Sequence, residues 1–358
     1  LSAAAAGAAS VLLTDGADAT LELLERNAVA NGHCRADVDV ARLRWGDESD
    51  LESAAKRGPF DLIMGSDLLY APEAFPELLE SLTPRGLASF HPSPLATLNE
   101  LTACHTAEYV DRYVNNKLSE KENRRVGFPW SQASVNRSLS STGGTVAAMR
   151  EVCTTPAVLS GHLAGGTHHA FADAGEGFCV FNDIACAAVY AMETFPERLR
   201  GSETPILIID LDVHQGNGTA KIFEDETRVV TFSAHGEKNY PWRTKQRSTH
   251  DVDLPDGADD ATCLRVVNEW VPFLFETYRP RLVFFQAGVD ALREDSFGRL
   301  GMTRAGMLRR NHVVYDACVA ADVPLVITMG GGYSRPFDAS VAAHADVFRS
   351  AAYRFAAG

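Results

Sequence analysis

The sequence predicts an α/β fold, a parallel sheet with helices on both faces, and three observations support this prediction. Four short apolar segments recur between residues 206 and 328. They do not alternate apolar with polar residues, which is typical of strands buried on both faces. The helical stretches between them are long enough to serve as crossovers between parallel strands. The 358 residues, 46% hydrophobic and 22% charged, are sufficient for a large packed core.

The predicted elements of this sheet follow one another in a regular order. Apolar character predicts four strands, at residues 206–209, 229–232, 282–285 and 325–328. Helical periodicity predicts helices between and before them, at residues 99–115, 145–152, 183–194, 263–278 and 303–321. The helix at 145–152 is expected to begin behind Gly143 and Gly144, because glycine often marks the end of an element.

The first 88 residues are predicted to form a separate α/β segment. Its strand candidates are residues 11–14 and 60–64, and its helix candidates are residues 19–29 and 72–82. A stretch with several Pro, Ser and Gly residues, 83–94, then separates it from the rest. We therefore expect two domains, residues 1–88 and residues 89–358.

Charge and cysteine content narrow the classes of function. The formal net charge is −14 and no long basic run offsets it, which argues against direct binding of nucleic acid. Seven cysteines without a Cys-x-x-Cys pair indicate reduced thiols in a cytosol-like compartment. The apolar opening, residues 1–13, is too short to cross a bilayer. We expect a soluble protein with no membrane partner.

Polar residues follow three of the predicted strands and indicate a metal site. If the chain stays extended, Asp210, Asp212 and His214 lie on one face. Asp212, His214 and, after another strand, Asp290 would supply three ligands and leave one position open, as in catalytic zinc sites. Two carboxylates among three ligands leave Fe(II) as an alternative ion. A hydrogen-bonded turn with a satisfied histidine is the interpretation without a metal.

Two glycine-containing segments add candidate catalytic groups. His168 and His169 are adjacent in the segment 165–171 (GGTHHAF). Near a metal they are candidates for a general base and an electrostatic helper, because histidine titrates near neutral pH. By themselves they would be interpreted as surface residues. The glycines of the segment 175–183 (GEGFCVFND) would let the backbone approach a substrate closely.

Together, these features resemble the histone deacetylase family over about residues 91–350. The segments that carry the resemblance are 165–171, 175–183, 210–219, 286–290 and 330–333. Residues 127–131 and 235–242 are similar to the class IV branch in particular. The resemblance implies an arginase-like fold, one catalytic zinc ion and hydrolysis of an acyl-lysine amide. It also implies an acyl-lysine protein as partner, with histone tails among the candidates, and a nuclear, cytoplasmic or organellar location.

The resemblance implies a role for each matching residue. The zinc ligands would be Asp212, His214 and Asp290. His169 matches the general base that takes a proton from the attacking water, and His168 matches the histidine that orients this water. Tyr333 matches the tyrosine whose hydroxyl binds the developing oxyanion.

Further residues match supporting positions of the family. Asp210 would support His168, and Asn217, where many class I members have aspartate, would support His169. The walls of the substrate channel would be Gly177, Phe178 and Tyr240, although the two aromatic residues could instead be ordinary core residues. Asp210 and Ser233 fall where the family binds a structural potassium ion. No organic cofactor is predicted.

The first ninety residues resemble a different family, the seven-strand protein-lysine methyltransferases. The similar segments are 11–15, 27–31, 45–47 and 60–70. The glycine-rich turn that approaches S-adenosylmethionine and the later strands are missing, so we expect a truncated segment without methyl transfer. The deacetylase-like part also starts late, without the family's first strand. Shortening of both parts at one junction is expected of a fused or mispredicted gene.

Two other functions remain open at the level of sequence. A deacetylase of acetylpolyamines or other small amides would use the same metal and tyrosine, and would differ only at the rim of the site. A non-catalytic scaffold that binds acyl-lysine or a partner protein is the alternative from another class. A two-metal hydrolase of the arginase type is disfavoured, because the residues provide one complete metal site and an oxyanion donor.

Overall fold

The computed structural model describes residues 10–15, 37–42, 89, 91–335 and 337–356. The chain divides into two compact units, Leu1–Pro92 and Ser93–Gly358. In the first unit, strands β1 (Ser10–Asp15) and β2 (Asp37–Arg42) pair in parallel. Strand β1 confirms the strand predicted at residues 11–14. The elements predicted at residues 19–29, 60–64 and 72–82 lie outside the described residues.

The second unit is built on a six-stranded sheet in which every neighbouring pair is parallel. In chain order the strands are β3 (Leu159–His162), β4 (Ile206–Asp210), β5 (Val229–Gly236), β6 (His250–Leu254), β7 (Leu282–Gln286) and β8 (Leu325–Thr328). Their spatial order is β3-β8-β7-β4-β5-β6, so β4 and β7 lie at the centre. The parallel sheet confirms the predicted fold class.

Helices cover both faces of this sheet. They are α1 (Leu98–Thr102), α2 (Ala107–Val114), α3 (Glu120–Val126), α4 (Gln132–Thr154), α5 (Asp183–Thr194), α6 (Asn217–Ile222), α7 (Asp260–Tyr278), α8 (Arg304–Ala321) and α9 (Asp338–Ala356). Leu207 and Ile209 of β4 join an apolar cluster with α7, α8 and α9. Ile206 and Ile208 join a second cluster with α4 and α5. Successive side chains therefore enter opposite cores, which explains why β4 shows no polar alternation.

The four predicted strands are confirmed as β4, β5, β7 and β8, and two edge strands were missed. Strand β3 has the sequence LSGH, and β6, with the sequence HDVDL, alternates between partly exposed and exposed residues over most of its length. Edge strands need not be apolar on both faces, so neither segment forms the apolar run that marked the central strands.

Two predicted helices need correction. The helix predicted at residues 99–115 is two helices, α1 and α2, because the side chain of Thr106 accepts a hydrogen bond from the Tyr109 N–H and starts a new helix. The helix predicted to begin after Gly143 and Gly144 in fact runs through both of them. A Cβ at Gly143 would lie 2.1 Å from the Pro94 carbonyl oxygen, so this glycine allows close packing and does not end a helix.

None of the helices among the described residues combines the length and the apolar character that crossing a bilayer demands.

Candidate active site

The site lies where the central strands end, because the carboxyl ends of parallel strands meet at one edge of the sheet. Strand β4 ends at Asp210, and the backbone then turns, with the Asp212 N–H donating to Asp210 Oδ1 at 3.1 Å. The sequence interpretation required an extended chain from Asp210 to His214, and this expectation is wrong, because the strand ends at Asp210. A turn, not strand alternation, gathers these side chains.

The turn brings Asp212 and His214 together with Asp290, which follows β7. Their candidate ligand atoms all lie within 4.8 Å of one another. His214 Nδ1 is 3.0 Å from Asp212 Oδ1 and 3.0 Å from Asp290 Oδ2. Backbone N–H groups hold the remaining carboxylate oxygens, with Gly331 donating to Asp212 Oδ2 and Val213 to Asp290 Oδ1. We call Asp212, His214 and Asp290 the ligand triad.

The electrostatics of the ligand triad favour a cation. Burial and the charge of Asp212 raise the pKa of Asp290 to about 7. Burial opposes a charge on His214, but its hydrogen bonds with Asp212 and Asp290 outweigh this and raise its pKa to about 10. Two buried carboxylates thus draw a positive charge to this point. A divalent cation fits the same donors and would displace the proton of His214.

The two adjacent histidines have different partners. His168 Nδ1–H donates to Asp210 Oδ2 at 2.7 Å, and His169 Nδ1–H donates to Asn217 Oδ1 at 2.8 Å. Burial disfavours the charged form of His168, but the charges of Asp210 and Asp212 outweigh it and raise its pKa to about 9. Burial and the neighbouring charge of His168 hold the pKa of His169 well below its usual value. His168 can therefore donate across the 3.2 Å between the two Nε2 atoms, while His169 is neutral and accepts.

Asn217 leads on to a buried carboxylate that the sequence interpretation missed. Asn217 Nδ2 donates to Glu176 Oε1 at 2.9 Å, and Arg125 Nε donates to Glu176 Oε2 at 2.6 Å. Burial opposes the charge of Glu176, but the hydrogen bonds from Asn217 and its other partners outweigh burial and lower its pKa. The feature of the sequence that could have identified Glu176 was its position, as an acidic residue, between two glycines of the segment 175–183. Arg125 gave none, because it ends a charged run typical of a solvated helix.

Two of the three residues predicted to line a substrate channel, Gly177 and Tyr240, lie beside His169. A Cβ at Gly177 would be 2.8 Å from the ring of His169, so only glycine fits there. The ring of Tyr240 lies 5.0 Å from that of His169. Phe178 has a positive φ of 66° and is 57% exposed, so it is not a core residue. Its N–H donates to the Val126 carbonyl oxygen at 2.7 Å, which holds this strained backbone in place.

Tyr333 faces the ligand triad from the loop that follows β8. Its ring lies 6.4 Å from that of His214. Burial and the charge of Asp290 raise the pKa of Tyr333, so its hydroxyl keeps the proton that a hydrogen-bond donor needs. The Tyr333 N–H donates to Asp295 Oδ2 at 2.6 Å, and Asp295 is a second residue that the sequence interpretation missed. The only feature of the sequence that pointed to Asp295 was its position five residues after Asp290.

The potassium position predicted from the sequence involves Asp210, the last residue of β4, and Ser233, which lies within β5. Asp210 of β4 and Ser233 of β5 are direct partners in the sheet. Ser233 Oγ lies 2.9 Å from His235 Nδ1. The potassium ion itself stays a prediction.

Two protein-family models match this chain, and together they cover most of its length. Residues 71–348 match the model of the histone deacetylase domain, and residues 1–90 match that of the lysine methyltransferases. An uncharacterized protein of Picosynechococcus sp. is 41% identical over 70% of this chain and 81% of its own length. Histone deacetylase clr6 of Schizosaccharomyces pombe is 27% identical over 83% of this chain and 71% of its own length.

Solved structures match at the level of the fold. A crystal structure of an HDAC homolog from Aquifex aeolicus is 24% identical and has a TM-score of 0.65, covering 78% of this chain and 76% of its own. The HD domain of HDA15 has a TM-score of 0.61 at 23% identity, over 78% of this chain and 82% of its own. The histone deacetylase domain model matches more than three quarters of the length of this chain, and the chain therefore belongs to the histone deacetylase family.

Proposed function

We propose that this protein is a zinc-dependent deacylase that hydrolyses the amide of N-ε-acetyl-lysine in proteins. The observation that supports this most is the arrangement around a single point. The rings of the neutral His169 and of Tyr333 lie 6.0 Å and 6.4 Å from the ring of His214, which belongs to the ligand triad at the carboxyl edge of the sheet. Metal-assisted amide hydrolysis uses these three elements: a Lewis acid, a base and an oxyanion donor.

The residues of the chain divide the chemistry among them. A zinc ion held by the triad would polarise the amide carbonyl and lower the pKa of a water. His169 would take the proton of the attacking water at Nε2, because its Nδ1–H is already given to Asn217. His168, held by Asp210, would orient that water and later stabilise charge. Tyr333 would donate to the oxygen of the tetrahedral intermediate.

The surroundings of the site favour a long aliphatic amine as substrate. Phe178 and Tyr240 would wall a channel that a lysine side chain fills, and exposed Trp242 stands next to Tyr240 with ring centroids 6.5 Å apart. The net charge of −14 would attract basic peptides such as histone tails. We propose acyl-lysine proteins of the nucleus or cytoplasm as substrates.

We further propose that the hydrolase is residues 89–358 and that residues 1–88 are a truncated methyltransferase-like segment without its own activity. The basis is the separate match of residues 1–90 to the lysine methyltransferase model. The two family matches overlap at residues 71–90, and this overlap supports a junction in that stretch.

The proposal is tested by measuring metal content and hydrolysis in the same preparations. We expect one zinc per chain, release of acetate from an acetyl-lysine peptide, and inhibition by a hydroxamate. Asp290→Asn should lose both zinc and activity, whereas Asp316→Asn, which removes a surface ion pair with Arg354, should lose neither. Stoichiometric zinc without turnover of any acyl peptide would contradict the proposal that the protein is a deacylase. Preferred turnover of acetylpolyamines in competition would reassign the substrate.

A further inference from the structure

Two cysteines lie in contact away from the candidate active site. Cys104 Sγ and Cys186 Sγ are 3.3 Å apart, although 82 residues separate them in the sequence. Cys104 follows helix α1, and Cys186 lies in the first turn of α5. A disulfide joins its sulfurs at about 2.05 Å, so a movement of about 1.2 Å would close this pair.

We propose that Cys104 and Cys186 form an oxidation site, which a small peroxide converts reversibly into a disulfide. Cys186 is fully buried, whereas Cys104 is partly exposed and is therefore the sulfur that an oxidant can reach. Burial, followed by the contact with Cys104, raises the pKa of the Cys186 thiol. Cys186 is therefore a poor nucleophile while it is buried, and Cys104 reacts first because it is the thiol that the oxidant reaches.

A metal site is the competing interpretation, because His105 lies beside both sulfurs. The hydrogen bonds of His105 argue against it. Its Nε2 accepts from the Asn182 N–H at 2.8 Å, and its Nδ1 lies 3.3 Å from the Ala172 carbonyl oxygen, to which it donates. The single lone pair of the neutral ring is therefore used within the protein. A metal that bound His105 would have to break its buried hydrogen bond with the Asn182 N–H, which is costly. Only the two sulfur atoms could bind a metal without that cost.

The oxidation balances with hydrogen peroxide as the oxidant. The Cys104 thiol attacks one peroxide oxygen, the O–O bond breaks, and a sulfenic acid and one water form. The Cys186 sulfur then attacks the sulfur of Cys104 and forms the S–S bond. The sulfenic hydroxyl leaves with the proton of Cys186 as a second water. Two thiols have lost two electrons, and one peroxide has been reduced to two waters.

The disulfide would tie helix α1 to the start of α5, near the histidine segment. Asn182 caps α5, and its Nδ2 donates to the carbonyl oxygens of His168 at 3.4 Å and Ala170 at 3.1 Å. A bond from Cys104 to the first turn of α5 closes a long loop in the unfolded chain. We therefore expect the oxidised protein to unfold at a higher temperature.

The test uses the full zinc-loaded chain treated with hydrogen peroxide. Peptide mapping by mass spectrometry should find residues 104 and 186 in one linked pair, and the thermal midpoint should rise by about 5 °C or more. Dithiothreitol should reverse both changes. Cys104→Ser should prevent both. Cys153→Ser, which removes a mostly buried cysteine of α4 outside the pair, should prevent neither.

Three results would overturn the proposal. The first is a Cys104 sulfenic or sulfonic acid that accumulates without a link to Cys186. The second is a link from Cys104 to another cysteine. The third is a second equivalent of zinc that the wild-type protein binds and the Cys104→Ser protein loses. The mapping of the wild-type protein decides the matter even if a variant fails to fold.

Discussion

The two histidines of the site differ in the group that each meets at Nδ1. His168 meets a carboxylate at 2.7 Å, and His169 meets an amide at 2.8 Å. A carboxylate stabilises the charged imidazole ring, whereas an amide oxygen only fixes the tautomer. This difference explains why the proposed base is His169, since a base must be neutral before it accepts a proton.

Replacing Tyr333 with phenylalanine tests the oxyanion donor. Tyr333→Phe should lower kcat by about 100-fold to 1000-fold, because the loss of one preorganised donor has this effect in acyl transfer. Zinc content and thermal midpoint should stay unchanged, since the backbone of Tyr333, not its hydroxyl, is held by Asp295. Steady-state kinetics on an acetyl-lysine peptide measure the effect. An unchanged kcat would remove Tyr333 from the mechanism.

Glu176 should act on His169 through Asn217. Glu176→Gln keeps the shape but removes the charge that orients the Asn217 amide, so we expect kcat to fall about tenfold, with KM and zinc content unchanged. The measurement is kcat and KM on the same peptide, together with metal analysis.

A double variant provides the rescue for this prediction. Asn217→Asp moves a carboxylate directly to His169 Nδ1, so it should recover part of the kcat lost in Glu176→Gln. Glu226→Gln, which disrupts a surface pair with Arg228, is the matched control and should leave kcat unchanged. A double variant no better than Glu176→Gln would contradict a role of Glu176 through the contact of Asn217 with His169.

At the scale of elements, the end of helix α3 supports the channel. Gly127 caps this helix with a φ of 101°, and the chain next to it pairs with the backbone of Phe178. A Cβ at Gly127 would lie 2.9 Å from two atoms of the Phe178 ring. The cap therefore sets where Phe178 can stand, and through it the mouth of the proposed channel.

Gly127→Ala should raise KM for the acyl peptide several-fold and lower stability by about 1–2 kcal/mol, because alanine is strained at this φ. Gly257→Ala is the matched control. Gly257 has a φ of 76° and nothing within 4 Å of its added Cβ, so it should lose stability without a change in KM. Peptide kinetics and chemical denaturation separate the two effects. An equal KM in both variants would show that Gly127 does not control Phe178.

At the scale of the whole molecule, the buried His344 of α9 links stability to pH. Its Nδ1 has no hydrogen-bond partner among the residues that the structure describes, and burial lowers its pKa to about 4. Between its unfolded pKa of about 6.5 and pH 4, the unfolded state binds the proton more strongly than the folded state. Stability is therefore complete above pH 6.5 and falls as the pH drops, by roughly 3 kcal/mol in total from this residue.

The His344→Gln variant should lose this contribution. Its free energy of unfolding should depend less steeply on pH between 6.5 and 4 than that of the wild type, whatever its stability at neutral pH. Urea denaturation at several pH values in zinc-containing buffer provides the comparison. Parallel curves for the two proteins would contradict the assignment.

The sequence by itself determined the parallel α/β sheet, its four inner strands and the polar groups at their ends. An apolar run and the charged residue that follows it are visible in the local sequence. Ile206–Asp210 therefore predicts a central strand with a polar group at its end before any tertiary contact is known. The two edge strands were missed because β3 and β6 lack such runs. The break between α1 and α2 was missed because it depends on a single threonine cap.

Only the tertiary structure decided which residues act together. Glu176 reaches Asn217 across 41 residues, and Cys104 reaches Cys186 across 82. Sequence periodicity describes spacings within one element, so it carries no information about pairs that the fold brings together from different elements. The turn after Asp210 shows the same limit at short range. The candidate metal ligands, the two histidines and Tyr333 were predicted from their chemistry. Glu176 and Asp295 were not, because their roles depend on how the strand ends converge.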